Sequence, residues 1–332
     1  MADHKTFSLG DFPLTGGGIL RDAQLAYQTY GVQSEAGDNV VVMPTFYTGS
    51  HHRNEGFFGS GRALDPARHF IVSVNLFGGG ISSSPSNSQL QPGAAFPEIS
   101  FQDNIRAQHA LLTEGLGVSR IALVLGWSMA GCQAYHWATQ YPDMVEAILP
   151  FCASAKTSPH NFVFLEGVKA ALCADPVFND GTYEQQPIEG LKAFGRVYAG
   201  WAFSQAFYRN GRYRDIGYDR VTALLDDWAE DHAANWDAND LLCKLGTWQR
   251  GDISAGGDFE AALRSIQAKA ILMPCAQDLY FPPEDNAFEA EHMPRAQFLP
   301  VESEFGHCAA SPGADPVFEA ALDENIRSLL GA

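Results

Sequence analysis

The sequence has little positive charge: 21 lysine and arginine residues stand against 39 acidic residues, for a formal net charge of −18. Proteins that bind nucleic acid or an anionic membrane surface need a basic patch to neutralise phosphates, so this imbalance argues against both partners. The sequence also lacks an apolar run of the roughly 18 residues that cross a bilayer. A small neutral substrate fits this composition better.

The sequence carries no pattern typical of export, disulfides or metal binding. Its first residues, MADHKTFSLGDF, lack a basic segment followed by an apolar one, so we expect a cytoplasmic protein. The six cysteines are scattered without CxxC spacing, which favours buried thiols over a disulfide framework. His51 and His52 are adjacent, but no H-E-x-x-H pair occurs, and neither a metal nor another cofactor is predicted.

What the sequence does contain is an alternation of strand and helix patterns. Short, almost continuously apolar runs are typical of strands that are covered on both faces. They fall at residues 39–46, 69–77, 120–126, 145–152, 268–275 and 296–303, and helical patterns fall at 101–116, 129–142, 282–293 and 315–330. This alternation predicts an α/β protein with a doubly wound, mostly parallel sheet.

Residues 155–267 interrupt the alternation, because the strand signal disappears there and a helical, aromatic-rich pattern replaces it. An inserted helical segment usually covers the carboxyl edge of the strands, where open α/β sheets bind their ligands. We therefore expect a core formed by residues 1–154 and 268–332, and a helical cap formed by residues 155–267.

The segment G-W-S-M-A-G at residues 126–131 joins a predicted strand to a predicted helix. It is a variant of the nucleophile-elbow pattern G-x-S-x-G, in which small residues let strand and helix approach and a sharp turn exposes the serine hydroxyl. The pattern predicts Ser128 as a nucleophile. It also predicts the backbone N–H of Met129, at a helix N-terminus, as a donor to a developing oxyanion.

A serine nucleophile needs a base and an acidic residue that orients it, and in this motif they follow in the order serine, acid, histidine. Asp278 comes directly after the apolar run at 268–275, and His307 lies in a glycine-containing loop before the last helix. The second oxyanion donor is expected in the loop after an early strand, at residues 44–52, where we choose the N–H of Tyr47.

Together these motifs resemble the homoserine O-acetyltransferase family of α/β-hydrolase-fold enzymes over nearly the whole chain. That family has G-G-S-M-G-G-M-Q-A at the elbow, where residues 126–134 read G-W-S-M-A-G-C-Q-A. The segments YTGSHH (47–52), NLFGGGISSSPSN (75–87) and DLYFPPE (278–284) resemble other family motifs. The resemblance implies an α/β-hydrolase fold, a triad of Ser128, Asp278 and His307, and a homodimer formed through the cap.

The sequence departs from the transferases where they hold the ammonium and carboxylate of homoserine. The family pattern has an aspartate after the catalytic histidine, where this chain has Cys308, and a cap arginine with a tyrosine seven positions later, where it has Arg196 and Phe203. A charged amino acid buried without its counter-charges is strongly disfavoured. These three residues are the expected substrate contacts, and the departures favour the esterase branch of the family.

We therefore expect a serine carboxylesterase that hydrolyses short-chain, acetate esters without a cofactor. The alternative is acetyl-CoA-dependent transfer of the acyl group to homoserine or another alcohol, because both reactions pass through the same acyl-serine. A ligand receptor with an inactive triad is a third class, and the presence of all three triad residues argues against it.

Overall fold

The computed structural model describes residues 3–331, with one eight-stranded sheet at its centre. The strands are β1 (Lys5–Pro13), β2 (Ile19–Tyr30), β3 (Val40–Pro44), β4 (Phe70–Val74), β5 (Leu123–Trp127), β6 (Ala147–Phe151), β7 (Lys269–Leu272) and β8 (Ala296–Phe298). Their order across the sheet is β1-β2-β4-β3-β5-β6-β7-β8. The six strands from β3 to β8 are parallel, so the predicted doubly wound, mostly parallel sheet is confirmed.

Helices connect the parallel strands and cover both faces of the sheet. They are α1 (His51–Asn54), α2 (Phe101–Ala110), α3 (Met129–Gln140), α4 (Pro159–Cys173), α5 (Ile188–Ala202), α6 (Gln205–Arg209), α7 (Val221–Asn235), α8 (Ala238–Gln249), α9 (Phe259–Ser265), α10 (Pro283–His292) and α11 (Pro316–Leu330). Every strand and helix predicted outside residues 155–267 is present, with ends that differ by up to six residues. None of the helices within residues 3–331 is long and apolar enough to cross a membrane.

The central strands are buried on both faces because successive side chains point to opposite sides of the sheet. All five residues of β3, of β5 and of β6 are buried. Val41 and Leu123 pack into the core on one face, whereas Val40, Val42 and Val124 pack into the core on the other. Two hydrophobic cores therefore hold the sheet, and the carboxyl ends of the strands are fixed between them.

Strands β1 and β2 pair antiparallel with each other, and β2 pairs antiparallel with β4. The sequence patterns did not indicate them. Most of β1 is exposed or half-buried, and its register with β2 shifts around Gly10, which has a φ of 60°. An edge hairpin that faces water on one side and carries irregular pairing lacks the continuous apolar run typical of the buried strands.

The segment between β6 and β7 consists of helices α4 to α9. Within the described part of the chain, its only β pairing is a single bridge between Lys156 and Asp252. Its aromatic side chains, with the exception of Phe162, are buried or half-buried. The division into a core (1–154 and 268–332) and a cap (155–267) agrees with this arrangement and stays a prediction, and residues 1, 2 and 332 lie outside the described range.

Candidate active site

Ser128 occupies the turn between β5 and α3. Its φ of 59° and ψ of −130° lie where residues with a side chain are rarely found. Such strain persists only where the surrounding packing enforces it, and it is concentrated at functional sites. Ser128 is buried, and its strained turn has the form expected of a nucleophile elbow.

The small residues around Ser128 are required by the close approach of strand and helix. A Cβ added to Gly126 would lie 2.3 Å from the Cβ of Ala130. A Cβ added to Gly131 would lie 2.5 Å from the Cβ of Ala153 and 2.7 Å from the carbonyl oxygen of Gly126. Because real Cβ atoms do not approach other atoms this closely, neither glycine can be replaced without moving the backbone that carries Ser128.

Asp278 and His307 meet beside this turn. Asp278 follows β7, and its Oδ2 accepts a hydrogen bond of 2.7 Å from Nδ1 of His307. Its Oδ1 accepts from the backbone N–H groups of Tyr280, at 2.8 Å, and Phe281, at 3.1 Å. Because Nδ1 donates to the carboxylate, the other ring nitrogen of His307, Nε2, is left as the atom that can accept a proton.

Aromatic rings hold the His307 imidazole in place. Its ring centroid lies 5.2 Å from that of Trp127, with the two planes 29° apart, and 4.7 Å from that of Tyr280. The preceding residue, Gly306, has a φ of 60°, and a Cβ there would lie 2.6 Å from the backbone nitrogen of Ser204. The loop that carries His307 is therefore packed tightly against the segment that links α5 and α6.

A cavity of about 320 Å³ opens over the carboxyl ends of β3 and β5. Ser128 and His307 both line it, but the described residues include no hydrogen bond between the serine hydroxyl and the imidazole. Such bonds are often long in unliganded enzymes and tighten when substrate binds. The other residues that line the cavity include Phe46, Tyr47, Arg53, Trp127, Tyr198, Phe203, Asp227, Trp228, Asp231, His232 and Cys308.

One predicted oxyanion donor lines this cavity, and the other directly follows Ser128, which lines it. Tyr47 follows β3 and lines the cavity, and Met129 is the first residue of α3. Within residues 3–331, neither backbone N–H donates to another group of the protein. Because buried N–H groups are almost always paired, two unpaired ones next to a buried serine are suited to a ligand oxygen that acquires negative charge.

The structure brings two of the three predicted substrate residues to the cavity. Phe203 and Cys308 line it, and burial raises the pKa of the Cys308 thiol to about 12, so this side chain stays neutral. Arg196 lies elsewhere: its guanidinium is half-exposed and donates to Asp226 at 2.8 Å. On α5 it occupies the face opposite the buried Tyr198, so the spacing argument that placed Arg196 at the substrate is not supported.

Several cavity residues were missed by the sequence analysis. Trp127 is inside the elbow motif and stacks on His307, so its position in G-x-S-x-G was an available signal. Asp227, Trp228 and Asp231 reach the cavity from consecutive turns of α7, and Arg53 reaches it from α1. Nothing in their local sequence distinguishes these four residues from ordinary surface or core positions.

Among residues 3–331, two groups of side chains have the composition of a metal site. Asp3, His51 and His52 form one, and Cys152, Asp278 and His307 form the other, with potential ligand atoms within 4.8 Å of one another. In the second group, Asp278 and His307 already bond each other. Burial raises the pKa of the Cys152 thiol well above its usual value, which disfavours the thiolate that binds metals.

Comparison with known proteins adds to this geometry. A family model described as alpha/beta hydrolase fold matches residues 38–313. The ethyl acetate hydrolase of Pseudomonas veronii is 34% identical over 334 residues, which cover 99% of this chain and 95% of that protein. The homoserine O-acetyltransferase of Trichormus variabilis is 34% identical over 313 residues, which cover 90% of this chain and 87% of that protein.

Among solved structures, the acetyl esterase MekB superposes with a TM-score of 0.96 at 34% identity. The match covers 100% of this chain and 97% of that chain. The similarity therefore includes both the sheet and the helical segment between β6 and β7.

Proposed function

The chain belongs to the α/β-hydrolase fold family, and we propose that it is a serine carboxylesterase that hydrolyses short-chain, acetate esters through an acyl-serine intermediate. The observation that carries the proposal is the hydrogen bond of 2.7 Å between Asp278 and His307 at a cavity that Ser128 also lines. The two similar proteins named for acetate esters, the ethyl acetate hydrolase and the acetyl esterase, support the same conclusion.

The first step forms the acyl-enzyme. Nε2 of His307 takes the hydroxyl proton of Ser128 while Oγ attacks the ester carbonyl carbon. Asp278 keeps the imidazole in the required tautomer and stabilises the imidazolium that forms. The imidazolium then gives its proton to the alcohol oxygen, the bond between that oxygen and the carbonyl carbon breaks, and the alcohol leaves.

The negative charge of the tetrahedral intermediate develops on the former carbonyl oxygen. The N–H groups of Tyr47 and Met129 are the proposed donors to it, and the N-terminus of α3 favours the same charge. In comparable enzymes one such donor contributes about 3 kcal/mol to the stability of the transition state.

The second step consumes water. His307 takes a proton from a water molecule as its oxygen attacks the acyl carbon, and then returns that proton to Oγ of Ser128 as the carboxylic acid leaves. The two steps use protein groups and water only, and the enzyme returns to its starting state.

The acceptor side of the cavity supports water over an amino acid. Cys308 and Phe203 are both neutral, so the two positions that the family resemblance assigns to ammonium and carboxylate recognition offer no counter-charge. Transfer to homoserine is the second candidate, because a homoserine O-acetyltransferase is also 34% identical, over 313 residues against 334 for the ethyl acetate hydrolase. Arg53, Asp227 and Asp231 also line the cavity and are the charged groups that such an acceptor would use.

The deciding experiment compares acetate release from ethyl acetate with acetyl transfer from acetyl-CoA to homoserine, with products identified by mass. We expect hydrolysis without O-acetylhomoserine. Ser128→Ala should lower ester hydrolysis by at least about 10³-fold and abolish labelling by a fluorophosphonate. O-acetylhomoserine formed in preference to acetate would establish the transferase, and activity retained by Ser128→Ala would overturn the mechanism.

A cytoplasmic location and a homodimer that associates through the cap remain part of the proposal. Sedimentation equilibrium of the purified protein tests the dimer, and fractionation of producing cells tests the location. A strictly monomeric protein at micromolar concentration would exclude the dimer without affecting the proposed chemistry.

A further inference from the structure

Helix α8 of the cap holds Tyr47 at two points. The tyrosine hydroxyl donates to the carbonyl oxygen of Leu241 at 2.8 Å. The ammonium of Lys244 donates to the backbone carbonyl oxygen of Tyr47. Tyr47 and Lys244 are each only 1% exposed. Because lysine is almost never fully buried, the ammonium at this position requires an explanation beyond packing.

The surroundings of Lys244 accommodate a positive charge. Its Nζ lies 4.8 Å from the ring centroid of Trp236 and 5.5 Å from that of Tyr47. Asp240 is one helical turn earlier and accepts from the backbone N–H and the hydroxyl of Ser86, at 3.0 Å and 2.6 Å. Burial lowers the pKa of Lys244 to about 8 and raises that of Asp240 to about 6, so both are charged at neutral pH.

The glycine-rich segment 78–80, which has no role in the mechanism above, packs against the same surface of α8. A Cβ at Gly78 would lie 2.6 Å from Sγ of Cys243, and one at Gly80 would lie 3.2 Å from Oδ2 of Asp240. Both glycines have positive φ values, 76° and 83°. The backbone of this loop can therefore pass directly over α8 only with glycine, and Ser86 then fixes it to Asp240.

From this arrangement we propose that Lys244 is a positioning residue. Its bond to the Tyr47 carbonyl, together with the bond from the Tyr47 hydroxyl to Leu241, fixes the orientation of residue 47. The preceding peptide, which carries the Tyr47 N–H, is thereby held towards the substrate oxyanion. The inference rests on the proposed function. The Tyr47 N–H has no acceptor within residues 3–331, so a loose loop would gain a hydrogen bond by turning this group away. A bond from a charged donor is roughly twice as strong as a neutral one, which suits it to holding the backbone of Tyr47 in one orientation.

The test is Lys244→Met, with Lys169→Met on the exposed surface of α4 as the matched control. We expect kcat for ethyl acetate to fall at least tenfold in Lys244→Met, KM to change less than threefold, and both constants to be unchanged in the control. A trifluoromethyl ketone, which adds to Ser128 and creates an oxyanion, should bind more weakly by about the same factor as kcat falls. An unreactive amide of the same shape should bind to Lys244→Met with the same affinity as to the natural protein.

Removal of Lys244 alone leaves the Asp240 carboxylate buried without a cation, so the variant could lose stability. The double variant Lys244→Met with Asp240→Asn removes both charges and should show the same loss in kcat. If either variant unfolds cooperatively and retains kcat within threefold of the natural protein, the inference is wrong. Equal weakening of the ketone and the amide would also overturn it, because that outcome indicates general damage to the cavity.

The pH dependence of kcat provides a further test. The groups that face the Lys244 ammonium are Asp240 and Cys243 on its own helix and Tyr47 opposite it. The pKa of the Asp240 carboxyl is about 6, so this group is already ionised at neutral pH. Burial raises the pKa of the Cys243 thiol to about 12 and that of Tyr47 well above its usual value, so neither group titrates together with Lys244. We therefore expect kcat of the natural protein to decline at alkaline pH as the ammonium loses its proton, and Lys244→Met to lack this decline; the same decline in both proteins would contradict the inference.

The proposed function and this inference fail differently. If the natural protein neither hydrolyses ethyl acetate nor reacts with a fluorophosphonate at Ser128, the proposed function fails. If it does both and Lys244→Met does so equally well, only the inference about Lys244 fails.

Discussion

Replacing Asp278 with asparagine keeps the size of the side chain and should change the proton position on His307. The backbone N–H groups of Tyr280 and Phe281 both point at Oδ1, so an asparagine must keep its carbonyl oxygen there. Its NH₂ group then faces Nδ1 of His307. Two donors cannot share a hydrogen bond, so the imidazole is forced into the tautomer that carries its proton on Nε2, where it cannot accept one from Ser128.

The expected loss follows from that tautomer. In serine hydrolases with the same arrangement, this substitution lowers kcat by about 10⁴-fold, which corresponds to about 5.5 kcal/mol of activation free energy. We expect a loss of this size in acetate release, with KM little changed because Asp278 does not line the cavity. Asp285→Asn, seven residues later and also outside the cavity lining, is the matched control and should retain kcat within twofold.

The result that would refute this reasoning is an Asp278→Asn protein that unfolds cooperatively and keeps kcat within tenfold of the natural enzyme. That outcome would mean that His307 reaches its active tautomer without the carboxylate, or that another base serves Ser128. A complete loss of folding would be visible in the unfolding curve and would not count as support.

Three further expectations concern stability and specificity. Gly131→Ala should lower the free energy of unfolding by roughly 1–3 kcal/mol, because its Cβ would lie 2.5 Å from that of Ala153. Gly167→Ala, whose Cβ would meet nothing within 4 Å, should raise the free energy of unfolding by about 0.5 kcal/mol. Urea unfolding of the two variants measures both changes. Burial raises the pKa of Glu289 to about 8, so the folded state keeps a proton that the unfolded chain loses. The free energy of unfolding should therefore decrease as pH rises from about 4.5 to 8, and Glu289→Gln should flatten that slope in urea titrations across this range. Arg196→Ala should leave kcat and KM for ethyl acetate within twofold, and a tenfold rise in KM would return Arg196 to the substrate site.

The sequence was sufficient where local pattern and chain order carry the information. An apolar run, two small residues and a serine are enough to predict the turn that carries Ser128, because only this combination allows a strand to meet a helix so closely. Asp278 and His307 could be chosen because the ends of parallel strands meet at one edge of the sheet. The structure brings both residues together there, with their side chains in direct contact.

The sequence was insufficient where contacts join distant segments. Lys244 is separated from Tyr47 by 197 positions, and a lysine within an amphipathic helix is ordinarily read as a surface residue. Arg196 lies outside the cavity lining, because spacing alone does not fix which face of a helix is buried, and its role at the substrate stays a prediction. The edge hairpin β1 and β2 was missed because exposed strands with irregular pairing have a weak apolar pattern.

The double attachment of α8 to Tyr47 also restricts how the protein can open. A hinge motion of the whole cap would break the bonds from Tyr47 to Leu241 and from Lys244 to Tyr47. The Lys244 ammonium would then lose its acceptor. We expect this side of the cap to stay closed during turnover. Substrate and product must then exchange past the half-exposed and exposed residues of α7 and α1, such as Asp231 and Arg53, on the other side of the cavity. If Lys244 positions Tyr47 as proposed, we expect the attached side of the cavity at α8 to support the chemistry and the side at α7 and α1 to admit substrate and release product.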